Sequence, residues 1–203
     1  MPAEPAAFGL RAHSGWAVLV TVGGSCSDPI LVDRRRIELM DCTPAQPYHR
    51  AARSSDLASA EAVIKQAHAE AHRRAREAIS AAIADSLRRG YNVRCAAVLA
   101  SQPRILPALE AILASHPLLH TAEGELFRAA LAGACRQERL AVTLCPEKDV
   151  FEQSSRSLMT NSAAVRRRVA LMARTVGAPW TADHKAAFVA GWSQLADYIR
   201  QSL

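Results

Sequence analysis

Histidines at positions 13 and 120, glutamates at 123 and 125 and an aspartate at 183 are the side chains of this chain whose types suit chemistry. Imidazole titrates near neutrality and ligates metals, while carboxylates hold cations or move protons, so the set can serve one divalent metal or an acid and base pair. All five are candidate catalytic residues, with His13, His120 and Asp183 as the candidate metal ligands. Arg11, Ser101, His184 and Lys185 fall at the strand ends and helix starts expected to converge with them on one sheet edge, and supply cations and donors for an anionic ligand. Each position also has a plainer reading. Glu123, Glu125 and Asp183 fall in expected first turns of helices, where the dipole favours acids, and His120 reads as a polar residue ahead of a helix. His13 stands apart, because a polar residue interrupting an apolar strand must be paired or exposed.

Other spacings carry less. His68-Ala-Glu-Ala-His72 sets two imidazoles one helical turn apart, but its glutamate is not at the second position of H-E-x-x-H, and a solvated helix face is the simpler reading. Gly23-Gly24 precedes no lysine and no helix, so it reads as a hairpin turn and not a phosphate loop. Arg34 and Arg36 share one strand face with Val32, as a ridge for phosphates or as the charged guard of an edge strand. Arg166-Arg-Arg168 reads as helix surface, and with 5% aromatic residues no stacking platform for single-stranded nucleic acid is visible.

These residues need elements to position them. Residues 8–22 read as a glycine-punctuated apolar strand with a polar kink, followed by a turn over 23–29 and a partner strand over 30–39. A proline-bearing connection over 41–49 reads as extended. Ser54-Ser-Asp56 caps a helix running to Arg89 and closed by Gly90. Its alanine-rich seam (Ala60, Ile64, Ala67, Ala71, Ala75, Ala78, Ala82) allows close approach to a sheet. Buried parallel strands are expected over 93–100 and 140–145, and helices over 106–115, 120–139 and 162–176, with a final amphipathic helix over 181–202. The expected class is α/β: a mixed sheet, with an N-terminal antiparallel hairpin plus parallel strands, flanked by helices. One domain spans residues 1–203, its part from 152 to 203 helical.

The composition limits the choice of function. The chain has 203 residues, enough for one substantial core, and no apolar run of the length a membrane span needs. Its N-terminus has no basic region ahead of an apolar stretch, so a cytoplasmic protein of bacterial type is expected. Five cysteines without a C-x-x-C pair indicate reduced thiols and no zinc ribbon. Twenty-five basic against 19 acidic residues give a net charge of +6, and nearly all the bases are arginine, which favours an anionic partner.

The order of elements, ending in Thr181-Ala-Asp-His-Lys185 at the start of the last helix, resembles the Holliday-junction-resolvase type of ribonuclease H-like fold over residues 8–200. In that family, acids on the first strand, at the end of the next buried strand and on the last helix hold two divalent ions for phosphodiester hydrolysis. Asp183 matches the last of these. The first-strand position reads Arg11 to His13, and the buried strand ends in Ala100-Ser101. One aspartate cannot hold two hard cations, so ordinary resolvase activity is not expected. Two functions stay open. One is a non-catalytic ribonuclease H-like module binding nucleic acid, another anionic ligand or a protein through the strand-end edge and its arginines. The other is a metal-dependent nuclease or phosphodiesterase whose site is rebuilt from His13, His120, Glu123, Glu125 and Asp183.

Overall fold

In the computed structural model, which describes residues 2–41, 45–100 and 105–202, the run expected as a single first strand is two strands. β1 (Glu4–His13) and β2 (Trp16–Gly24) pair antiparallel around the turn Ser14-Gly15, with His13 opposite Trp16. Gly15 has φ +80°, a conformation that side-chain-bearing residues rarely adopt, and a Cβ there would lie 2.2 Å from that of Ala45. The polar residues from Arg11 to Ser14 therefore mark the end of one strand and a reversal, not a kink. β3 (Pro29–Glu38) follows as expected.

The remaining elements are α1 (Pro47–Ala51), α2 (Leu57–Arg88), β4 (Tyr91–Ala100), α3 (Leu109–Leu113), α4 (His116–Gln137), β5 (Ala141–Pro146), α5 (Val150–Ser157), α6 (Ser162–Val176) and α7 (Ala182–Gln201). The sheet has the order β3-β2-β1-β4-β5. β1 and β4 are parallel, as are β4 and β5, while β2 and β3 are antiparallel neighbours. The result is a mixed α/β sheet with helices on both faces.

Strand alternation divides the core in two. Ala6, Phe8 and Leu10 of β1 join the alanine seam of α2 and the apolar face of α4, where Leu126, Phe127 and Leu131 are buried. Ala7 faces the other way, with Val18, Val20, Cys95 and the middle of α7. Gly9 follows on this second face because it must: a Cβ there would lie 1.7 Å from the Ala187 carbonyl oxygen, and one on Gly191 would lie 3.0 Å from Gly9 N. The glycine in β1 is thus the seat of α7. By the same alternation Arg11 and His13 project toward the start of α7.

Several expectations are corrected. The α2 seam uses Ile79 where Ala78 was expected, since Ile79 is fully buried and Ala78 only partly. Asp56 caps α2 by accepting from Ser59 N, and Gly90 ends it at φ +87°. The connection expected as extended contains α1, with Pro47 in its first turn, where a missing N–H is harmless. Pro117 likewise opens α4 instead of preceding it, which starts that helix at His116 and moves Glu123 and Glu125 out of its first turn. β5 was expected to be buried, but it is the sheet edge with β4 as its neighbour, and Leu144 is 47% exposed. α5 lies in the part expected to be helical and begins two residues before it. α7 is buried nearly all round from Ala186 to Ser193 because the sheet lies on one side and α5 and α6 pack near it on others, so it is not simply amphipathic.

Candidate functional site at the strand ends

Arg11 is the centre of the site. Near the C-terminal end of β1, its Nη1 donates to Asp183 Oδ1 at 2.5 Å, and its Nη2 donates to Glu147. Asp183 sits in the first turn of α7. Glu147 directly follows β5, where its backbone N–H donates to the Ala100 carbonyl at the end of β4 at 3.0 Å. Three elements thus deliver a forked cation and two carboxylates to one point. All three side chains are only part-exposed, which strengthens the charge-assisted bonds.

His13 completes the group. Its Nε2 lies 3.0 Å from Asp183 Oδ2, and a carboxylate can only accept, so this nitrogen carries the proton. The imidazole is stacked on Trp16, with centroids 4.1 Å apart and planes 9° from parallel. Arg36 also lies over that indole, 3.9 Å from the ring centroid, and pairs with Glu38. Asp183 is therefore held at both oxygens, by Arg11 and His13. The resemblance to resolvases implies two divalent ions here, and the side chains present do not fit them. A guanidinium already occupies the point between the two carboxylates. Among the described residues, no set of three or more His, Cys, Asp or Glu ligand atoms gathers at this point.

An open cleft of about 900 Å³ lies beside this group. Arg11, His120, Glu125 and Glu147 line it, together with Lys148 and Arg166. Glu125 accepts from Arg128 at 2.7 Å, while the Arg166 guanidinium lies 4.4 Å from the Phe151 ring centroid. The expected residues Arg11, His120 and Glu125 do share this cleft, and His13 and Asp183 adjoin it through Arg11.

Other expected residues have different roles. Glu123 points into the α1–α4 joint, not the cleft: it is 1% exposed and accepts from His49 Nδ1 at 2.9 Å. His120 clusters with His49 and His116, at ring-centroid distances of 4.7 and 4.6 Å, and not with His13 and Asp183, so the expected metal set is divided between two places. His184 is buried and closes a capping box with Thr181, its Nδ1 2.7 Å from Thr181 Oγ1. Its pKa is lowered by burial first and by Arg34 second, with Asp183 acting in the opposite direction. Arg34 donates to the carbonyls of Val176, Gly177 and Ala178 at 2.9–3.2 Å, binding the chain at the end of α6 and so satisfying the helix terminus. In these positions His184 caps α7 and Arg34 ties down the end of α6. Lys185 is half-buried on α7, and Ser101 lies outside the described residues.

Two features went unread in the sequence. Glu147 follows the run Leu140 to Pro146, and a carboxylate just beyond a parallel strand end is a detectable signal. His116 and His120 are four apart and so share a helix face, but this was hidden by the late start assigned to α4.

The sheet order, its mixture of parallel and antiparallel strands and its two helical layers define a ribonuclease H-like α/β fold. Two solved structures share it along nearly the full length. The Thermus thermophilus RuvC structure matches with a TM-score of 0.54 at 16% identity, covering 97% of this chain and 96% of that one. T. thermophilus RuvC in complex with Holliday junction substrate matches with a TM-score of 0.55 at 14% identity, covering 97% and 95%. No protein-family model and no curated protein matches the chain.

Proposed function

We propose that this chain is a ribonuclease H-like module that binds nucleic acid along the strand-end cleft and does not cut it by the two-metal route. The observation carrying this reading is the Arg11 guanidinium bridging Asp183 and Glu147. It pairs with both carboxylates internally and offsets part of their charge, at the strand-end position where the resolvase type assembles carboxylates around divalent ions. The cleft next to it offers Lys148 and Arg166, and the chain as a whole is positive by six charges. One of the similar solved structures is a complex with Holliday junction substrate, which supports branched DNA as the first ligand to try.

Phosphate contacts make binding salt-dependent, each one contributing nearly one unit to the log–log slope. Retention of a four-way DNA junction should therefore fall steeply as salt rises and weaken in Lys148→Glu and Arg166→Glu. Equal retention by these variants and the parent at low salt would reject the cleft as the nucleic-acid surface.

A further inference from the structure

His49, His116 and His120 each offer a ring nitrogen, and the three nitrogens lie within 4.8 Å of one another. They come from two elements. His116 and His120 stand one turn apart on the first part of α4, and His49 projects from α1, which packs against α4. The rings meet edge to face, His49 with His116 at 5.4 Å and 82°, and His116 with His120 at 4.6 Å and 81°.

Behind them lies Glu123, a carboxylate buried to 1% exposure. Its Oε1 accepts from the Nδ1 of His49 at 2.9 Å and from the His49 backbone N–H at 3.3 Å. Its Oε2 is buried with no hydrogen-bond partner, and among the described residues no arginine or lysine pairs with it. A buried anion without a fixed cation is costly unless positive charge lies close by.

We propose that His49, His116 and His120 bind one divalent transition metal of the zinc class, with Glu123 as the carboxylate that orients His49. With Nδ1 of His49 held by Glu123, its Nε2 is the ligating atom, which is the carboxylate–histidine–metal arrangement that fixes a ring's tautomer and raises its basicity. Nitrogens bound tetrahedrally at about 2.0–2.1 Å from zinc stand roughly 3.4 Å apart. Small side-chain rotations of His116 and His120, both exposed, close the difference. Three imidazoles favour zinc, copper, nickel or cobalt over magnesium and calcium, which take hard oxygen ligands. A three-histidine set leaves a fourth position for water or for an oxygen of an anion, and His120 also lines the large cleft. The site is independent of Arg11 and of the nucleic-acid reading: either can fail without the other.

The test uses tag-free full-length protein stripped with a chelator and titrated with Zn²⁺ against a chromophoric competitor, with Co²⁺ as a spectroscopic probe. One zinc per chain is expected, along with the visible bands of a four-coordinate cobalt site and no competition by Mg²⁺. The double variant His116→Ala/His120→Ala should bind at least about 100-fold more weakly, as loss of two of three ligands requires. Glu123→Gln should keep the stoichiometry and lose about 10- to 100-fold in affinity, the range for an orienting group. His13→Asn should bind as the parent does. The proposal is overturned if folded parent protein takes up no stoichiometric zinc, if the double variant, checked for folding by circular dichroism, retains it, or if His13→Asn abolishes it. A Glu123→Gln protein with altered melting temperature and unaltered zinc affinity would remove Glu123 from the site.

Discussion

Arg11 Nη1 meets Asp183 Oδ1 at 2.5 Å across the joint between β1 and α7, and the other arm of the same guanidinium holds Glu147. This contact follows from strand alternation: Ala7, Gly9, Arg11 and His13 share one face of β1, and the glycine lets α7 settle close enough for its first turn to reach the arginine. A single element order thus places a cation between two acids that arrive from sequence positions far from it.

Replacing the guanidinium should show how much stability this bridge contributes. Arg11→Met takes the cation from Glu147 and leaves Asp183 with His13 alone, and should lower stability by about 1–3 kcal/mol. Arg11→Lys should recover only part of the loss, because an ammonium cannot fork between two carboxylates. Urea unfolding of the three proteins measures both effects. Two variants within about 0.5 kcal/mol of the parent would show that the bridge is idle.

The seat of α7 should tolerate no added atom. In Gly9→Ala the new methyl meets the Ala187 carbonyl, so helix or strand must move. The loss should reach about 3 kcal/mol or more, beyond ordinary overpacking because the obstacle is backbone. Thermal and urea unfolding would report it, and a variant as stable as the parent would contradict the packing described.

Acid should weaken the fold through two histidines. His68 is depressed by burial and then by His72, and His184 by burial and then by Arg34. A base with a lowered folded-state pKa binds fewer protons folded than unfolded. Its stabilising contribution is complete above the unfolded value of 6.5 and is lost as pH falls from there through the folded value. The guanidinium midpoint should therefore drop between about pH 7 and about pH 5, and drop less in His68→Gln/His184→Gln. The same decline in the double variant would assign the effect to other groups.

How far the sequence disclosed this structure depended on where each signal lay. The α2 helix was legible because its seam is long, periodic and bounded by Asp56 and Gly90. The β1–β2 turn was obscured because apolar residues continue on both sides and Ser14-Gly15 is only two residues long. Pro47 and Pro117 read as chain breaks, yet each sits in a first helical turn. β5 has the apolar composition of a buried strand, and only its place at the sheet edge exposes it. At the site, Arg11, His13 and Asp183 could be anticipated because a shared topology brings strand ends and a helix start together. The His49–Glu123 contact could not, since it depends on α1, whose residues resemble a connection.

Arg11 stands between the two carboxylates at the strand ends of this ribonuclease H-like fold, beside the cleft proposed for nucleic acid. The most direct measurement incubates the parent protein with end-labelled four-way junction DNA in low salt with Mg²⁺ or Mn²⁺, following retention and strand integrity together. Retention with every strand recovered intact is the expected outcome. Strand cleavage that requires the added ion and disappears in Asp183→Asn would contradict it.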